Sequence, residues 1–347
     1  FGFSGTNAHI VLEEPPRVPV TARSSASPER LLVVTARDQA TLQRLAGRYA
    51  ERVASDPDRL DDICYTASLR RAHHDFRLAV SGDSASQISG RLREFASSAS
   101  ARGTTSGRRR RAQDALPVFV FSGQGPQSPR MGLELMESEP IFREALEQCD
   151  SALRRHGGPN LLEELAAVDD ASRLGATEVA QPCIFALQVA LAALWRSWGV
   201  IPAAVVGHSI GEVAAAHVSG CLSLDDAARL VVHRGRLMQA AADSGRMASI
   251  ELPIPDVEAL LREVRDDVAI GAFNSPQSCV ISGTARAVEA VLEKVRARGG
   301  MSTMLPVNYA FHSPQMEPFA LELERRLEGL APRAAEIPFL STVTGAV

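Results

Sequence analysis

Three features of the 347-residue sequence predict an α/β protein, in which a small α/β domain precedes a larger one that carries an insertion. A continuous apolar run, Pro202–Val206, stops at Gly207-His208-Ser209-Ile210-Gly211, and a helical stretch opens directly behind it. Such a run suits a central parallel strand covered on both faces. Residues 246–308 alternate as β-α-β-β-α-β, the order of a ferredoxin-like unit. The length is about twice a ~150-residue domain, and 45% hydrophobic against 22% charged residues is the balance of a chain with a large core.

Residues 1–14 read as a Gly-rich turn and a strand, Ala8–Leu12, followed by a Pro-, Ser- and Ala-rich linker to about Glu29. Leu31–Thr35 is apolar and β-branched and predicts a strand. Helical periodicity covers Asp38–Ala54 and Leu60–Arg71; a strand over Phe76–Ser81 and a helix over Ala85–Phe95 follow. Residues 97–115 hold almost no large apolar side chain and read as a flexible linker, with Arg108–Arg111 a solvated charge run. The larger domain opens with a strand over Pro117–Phe121, and helices are expected at Ile141–His156, Gln181–Trp198 and Leu224–Ala242. In the insertion, strands Met247–Leu252, Val268–Phe273, Cys279–Ser282 and Thr303–Pro306 alternate with helices Asp256–Val264 and Ala285–Arg298. A helix over Gln315–Leu330 and a strand over Pro338–Thr344 close the chain.

Composition excludes several functions. With 37 basic and 41 acidic residues, net −4, no overall field draws nucleic acid or an anionic membrane. Lys294 is the only lysine, so the other 36 basic residues are arginines, and one arginine cluster is no binding signal by itself. Cys64, Cys149, Cys183, Cys221 and Cys279 lie far apart with no C-x-x-C pair, the usage of reduced, buried thiols in a cytoplasmic chain. No metal site and no bound cofactor is expected. No run approaches the ~18 uncharged apolar residues of a membrane helix. The N-terminal Phe1-Gly2-Phe3-Ser4-Gly5 lacks the features of a signal peptide and reads as cut from a longer chain.

The chemistry concentrates at Gly207-His208-Ser209-Ile210-Gly211, because G-x-S-x-G between a buried strand and a helix is a nucleophile-elbow pattern. It makes the large subdomain α/β-hydrolase-like. Side chains at 207 and 211 would clash across the turn. The turn lifts the Ser209 hydroxyl above the sheet and aims the N-terminus of the next helix at it, where N–H groups can hold an oxyanion. A Gly-bordered packing turn is the alternative.

A serine hydroxyl needs a base. His208 should point away from its neighbour's hydroxyl, while His9, His73, His74, His156, His217 and His233 read as surface or helix packing. His312 lies in a loop behind the insertion and is the candidate to fold back over the elbow. Arg234 shares a helix face with Leu230, Val231, Leu237 and Met238, an unusual place for a cation without an anion. Its fork suits a carboxylate. A surface salt bridge stays open as an alternative, as does neighbouring Arg236.

Five segments carry a resemblance: Gly123-Gln124-Gly125-Pro126-Gln127, Gly207-His208-Ser209-Ile210-Gly211-Glu212, Arg234-Gly235-Arg236-Leu237-Met238, Asn274-Ser275-Pro276 and Tyr309-Ala310-Phe311-His312-Ser313-Pro314. In this order they resemble the acyltransferase domain of modular (type I) polyketide synthases, from about residue 117 onward. Phe1–His9 is similar to the end of a ketosynthase, and residues 30–95 to the linker that joins ketosynthase to acyltransferase. The resemblance implies Ser209 as nucleophile, His312 as general base, and an oxyanion hole from the N–H groups of Gln124 and Ile210. It implies Arg234 as the cation for the extender's free carboxylate, with Gln181 and Asn274 lining the site. The implied substrate is malonyl-CoA. The acceptor is the phosphopantetheine thiol of an acyl carrier protein, working beside the ketosynthase domain of the same synthase.

In this family, Ile210 and Phe311 look like the malonyl type, since a ring at 311 would crowd a C2 methyl, whereas Tyr309 matches the methylmalonyl type. The expectation is malonyl transfer. Alternatives are methylmalonyl transfer, a serine esterase or thioesterase, and a non-catalytic docking scaffold. Ser128 stands where the family commonly has Trp. The family's closing segment, which orients the catalytic histidine through a backbone carbonyl, does not follow Val347, and weak activity in isolation is expected. The expected organisation is a ketosynthase tail (1–14), a linker (15–29), a linker domain (30–96), a flexible linker (97–115), the large subdomain (116–245 and 309–347) and the small one (246–308).

Overall fold

The computed structural model describes residues 29–109, 116–167, 171–241 and 245–347; the expected strand Ala8–Leu12 and His9 lie outside the described residues. The chain divides into two compact units, residues 1–111 and 112–347.

The first unit runs β1 (Arg30–Ala36), α1 (Gln39–Ser55), α2 (Leu60–Leu69), β2 (Phe76–Gly82), α3 (Ala85–Ser98) and β3 (Thr104–Arg108). Leu32, Val34 and Ala36 alternate inward from β1. Asp38 caps α1 by accepting the Thr41 N–H at 2.7 Å, and Leu42, Ala46, Ala50 and Val53 form the buried stripe behind it. The sheet is antiparallel in the order β1-β2-β3.

β3 corrects the reading of 97–115 as a flexible linker. Thr104 pairs with Val80 and Arg108 with Phe76. The Thr-Thr-Ser-Gly-Arg side chains lie mostly in solvent, so no apolar alternation announces this edge strand, and backbone hydrogen bonds hold it. Nor is the arginine run wholly solvated: Arg108 sits 5.6 Å over the Phe76 ring and Arg109 pairs with Asp75 at 3.2 Å.

The second unit begins β4 (Val118–Phe121), α4 (Leu133–Ser138), α5 (Pro140–Arg155), α6 (Leu161–Ala166), α7 (Thr177–Ser197), β5 (Ala204–Gly207), α8 (Gly211–Val218) and α9 (Leu224–Ala240). Its insertion is β6 (Arg246–Glu251), α10 (Ile254–Leu261), β7 (Val268–Ser275), β8 (Ser278–Gly283), α11 (Ala285–Ala297) and β9 (Met301–Met304). α12 (Glu317–Arg326) and β10 (Phe339–Leu340) follow. β5 is central in a parallel sheet, β10-β5-β4, as its continuous apolar run requires. The insertion forms an antiparallel sheet, β7-β8-β6-β9, with its own core around Ile250, Ile281, Val288 and Leu292. That strand order is ferredoxin-like.

Several boundaries differ from expectation: α10 covers Ile254–Leu261 and β9 Met301–Met304, each two residues or more from the expected bounds, and three other elements differ for visible reasons. α7 starts a turn earlier, at Thr177, with Pro182 inside it, because a proline reads locally as a helix start. α7 also has the length and hydropathy of a membrane span, but 78% of that stretch is buried inside the unit. α12 ends at Arg326, short of Leu330. β10 keeps only two residues, because the Ser341 hydroxyl accepts the N–H groups of Val343 and Thr344 and bends the chain into a turn.

Candidate active site

The elbow is built by steric exclusion. A Cβ on Gly207 would overlap the Glu212 nitrogen and the Gly211 carbonyl, and one on Gly211 would overlap the Phe121 carbonyl. Between these glycines Ser209 takes φ +54°, a left-handed value uncommon outside glycine. Gly123 lets the loop after β4 lie on the turn; a Cβ there would meet the His208 ring at 2.9 Å and the His208 carbonyl at 3.2 Å. The N–H groups of Gln124 and Ile210 donate to no other group among the described residues. Ile210 itself is fully buried in the large core, so its side chain shapes the turn from behind.

Two of the predicted side chains converge on the Ser209 hydroxyl. His312 Nε2 lies 3.1 Å from Ser209 Oγ. Arg234 donates from Nη2 to the same oxygen at 3.0 Å and from Nη1 to Gln181 Oε1 at 2.7 Å. Gln181, 1% exposed, donates weakly to Gln124 Oε1 at 3.5 Å and lies 3.2 Å from the Met238 sulfur. Gln124 reaches Thr177 Oγ1 at 3.4 Å. With the arginine donating to the Ser209 oxygen, the serine proton is free to point at a neutral His312 Nε2.

The electrostatics support that protonation state. Desolvation pushes His312 down to about 4, with Arg234 and His208 pushing in the same sense and Glu212 opposing. His312 as a residue is exposed at the mouth of the site, while its ring reaches in to the serine. Burial also lowers Arg234, to about 10, which leaves the guanidinium charged at neutral pH.

Other predicted residues fall less centrally. Asn274 is exposed on β7 and, among the described residues, shares no hydrogen bond with Ser209, His312 or Arg234. Tyr309 and Phe311 stack at 3.7 Å, leaving Phe311 5% exposed. A 190 Å³ cavity beside Arg234 and His312 is lined instead by Leu237, Met238, Met316, Phe319, Ala320 and Leu323. His217 packs on Phe185 and its Nδ1 lies 3.1 Å from the Leu222 carbonyl, a structural role as expected. Arg236 turns to the Gly157 carbonyl and leaves the site to Arg234.

Sequence reasoning missed Glu212 and Thr342. Glu212 Oε1 accepts the Thr342 N–H at 2.8 Å and its hydroxyl at 2.6 Å, and the same hydroxyl lies 3.1 Å from the Gly207 carbonyl. Glu212 stood next to the elbow motif, but its partner lies 130 residues away.

Comparison with known proteins gives the class first: residues 118–346 match the acyl transferase domain family, so this is an acyltransferase. Residues 30–92 match the CurL-like, PKS C-terminal family, and the chain belongs to the acyltransferase regions of modular polyketide synthases. It is 41% identical over 355 residues to polyketide synthase GfsE of Streptomyces halstedii, covering 99% of this chain and 9% of that protein. Erythronolide synthase EryA2 of Saccharopolyspora erythraea is 38% identical, with 99% of this chain and 10% of that protein covered. The chain thus spans about a tenth of the length of these relatives. The acyltransferase domain from module 8 of the salinomycin polyketide synthase superposes with a TM-score of 0.85 at 35% identity, over 92% of this chain and 76% of that one. The SpnD acyltransferase domain, in complex with 2-(pent-4-yn-1-yl)malonyl, gives 0.79 at 28%, over 91% and 74%. The esterase and scaffold readings give way to the family assignment.

Proposed function

We propose that this acyltransferase loads a malonyl extender from malonyl-CoA onto Ser209 and passes it to the phosphopantetheine thiol of an acyl carrier protein. The observation that carries the reading is the Arg234 guanidinium, charged, half-buried and 3.0 Å from the Ser209 hydroxyl. The extender's carboxylate takes over the arginine fork, exchanging a hydroxyl contact for a charge-assisted pair. Ser209 Oγ attacks the thioester carbon while His312 Nε2 takes its proton. The carbonyl oxygen gathers negative charge facing the Gln124 and Ile210 N–H groups. The C–S bond then breaks, and His312 returns the proton to the departing CoA sulfur. The carrier thiol reverses these steps: its proton goes to His312, its sulfur attacks the ester, and Ser209 leaves as the hydroxyl. Phosphopantetheine travels on the carrier, so the chain needs no cofactor of its own. The ketosynthase of the same synthase is the proposed neighbour.

A second reading, methylmalonyl transfer, has support in Tyr309 and in the apolar cavity beside Arg234, to which Phe311 contributes no wall. Competition between malonyl-CoA and methylmalonyl-CoA, read as acyl-enzyme mass, tests it: predominant methylmalonyl loading overturns the malonyl assignment. Arg234→Ala should lower malonyl loading about a hundredfold, as for truncating one partner of a desolvated ion pair. Ser209→Ala should abolish it. Malonyl loading that survives Arg234→Ala would sink the carboxylate-grip reading.

A further inference from the structure

We infer that Glu212 is a positioning residue of the transfer: its carboxylate, three residues after Ser209, fastens the Ser341–Ala346 turn to the elbow and adds a negative charge to the site. This rests on the reading of Ser209 and His312 above.

The geometry supplies the fastening. Glu212 is the second residue of α8, three positions after the serine, and one of its oxygens receives both Thr342 donors, at 2.8 and 2.6 Å. The turn it holds is closed by its own backbone bonds, Ser341 N–H to the Ala346 carbonyl and Gly345 N–H to the Ser341 carbonyl, both 2.9 Å. Thr342 also lies against the Gly207 carbonyl, the residue at which β5 hands over to the elbow. One carboxylate therefore joins the end of the central strand, the first turn of α8 and the segment after β10.

Charge is the second part. Arg234 from α9, His208 from the elbow and Glu212 from α8 are the charged or titratable groups that act on the His312 ring. β7 approaches His312 with Gly271, and Met316, just before α12, and Phe319 of α12 line the same cavity, all uncharged. Glu212 is the one group of the three that opposes the downward push, and it favours the charged form of Arg234 as well. A base loses strength as its pKa falls, so this carboxylate keeps His312 from becoming too weak to take the serine proton.

Two variants separate charge from clamp. Glu212→Gln keeps an acceptor for Thr342 and removes the charge; Thr342→Val removes the hydroxyl and keeps the charge. In the full polypeptide, the His312 titration is read by NMR and Ser209 loading from malonyl-CoA is followed against pH. Glu212→Gln should move the His312 titration, and the acid limb of loading with it, down. Thr342→Val should leave both in place and lower the thermal midpoint. An unmoved titration in Glu212→Gln, or equal displacement in both variants, overturns the proposal. The NMR signal reads Glu212 even without turnover, so a parent protein that never loads Ser209 counts against the proposed function instead.

Discussion

The elbow and the His312 loop each hold a non-glycine residue in left-handed backbone, φ +54° at Ser209 and +60° at His312, yet they are held by different means. At Ser209 the conformation is enforced by contact, since the bordering glycines leave no room for any side chain and α8 begins at once behind the turn. At His312 no glycine flanks the turn. Side chains hold it: Ser313 donates to the Ala310 carbonyl at 2.6 Å, Gln315 donates to the Asp267 carbonyl at 3.1 Å, and Tyr309 stacks on Phe311. Each left-handed residue costs on the order of 1–2 kcal/mol, which its surroundings must offset. A site can thus be made rigid by excluding volume or by adding bonds, and the two respond differently to substitution.

The largest effect should come from breaking the elbow. Gly207→Ala forces a backbone shift in a close-packed turn and should cost about 3 kcal/mol or more in urea unfolding, with loss of Ser209 loading. A variant as stable and as active as the parent would remove the steric argument.

Next comes the charge shared by the two regions. With His312 held at about 4 and Arg234 at about 10, loading should stay level between those values. It should fall below about pH 4 as the imidazole takes up a proton, and again near 10 as the guanidinium loses one. Arg234→Ala removes a cation that pushes His312 down, so the acid limb should move up, toward the ordinary imidazole range. Single-turnover loading across pH measures it; a limb that stays or moves down contradicts the assignment.

The loop should give the smallest effect. Ser313→Ala removes the hydroxyl that meets the Ala310 carbonyl and the Gln315 side chain, about 1 kcal/mol, and should slow loading several-fold with a smaller change in the thermal midpoint than Gly207→Ala. An effect on unfolding as large as that of Gly207→Ala would erase the distinction between the two devices.

Much of this fold is legible from side-chain period. The stripe of Leu42, Ala46, Ala50 and Val53, the alternation of β1, and the β-α-β-β-α-β rhythm of the insertion need only local spacing to be read. β3 is not legible because its residues bury almost nothing, and α7 hides its first turn behind Pro182. In the site, Ser209 and Arg234 stand out by motif and by an apolar helix face. His312 is singled out among eight histidines by its loop position behind the insertion and assigned as base by the family resemblance, because its loop carries no periodic signal.

By itself, then, the sequence determined what acts between near neighbours: the glycines that force the elbow, the caps, the apolar faces and the order of the elements. Tertiary structure decided which distant groups meet and how they titrate. It brought His312 across 103 residues to the serine, joined Glu212 to Thr342, turned Arg234 inward while Arg236 turned away, and stripped water from an imidazole and a guanidinium. Desolvation and long-range Coulomb terms depend on the three-dimensional surroundings of a group, and no window of sequence contains them.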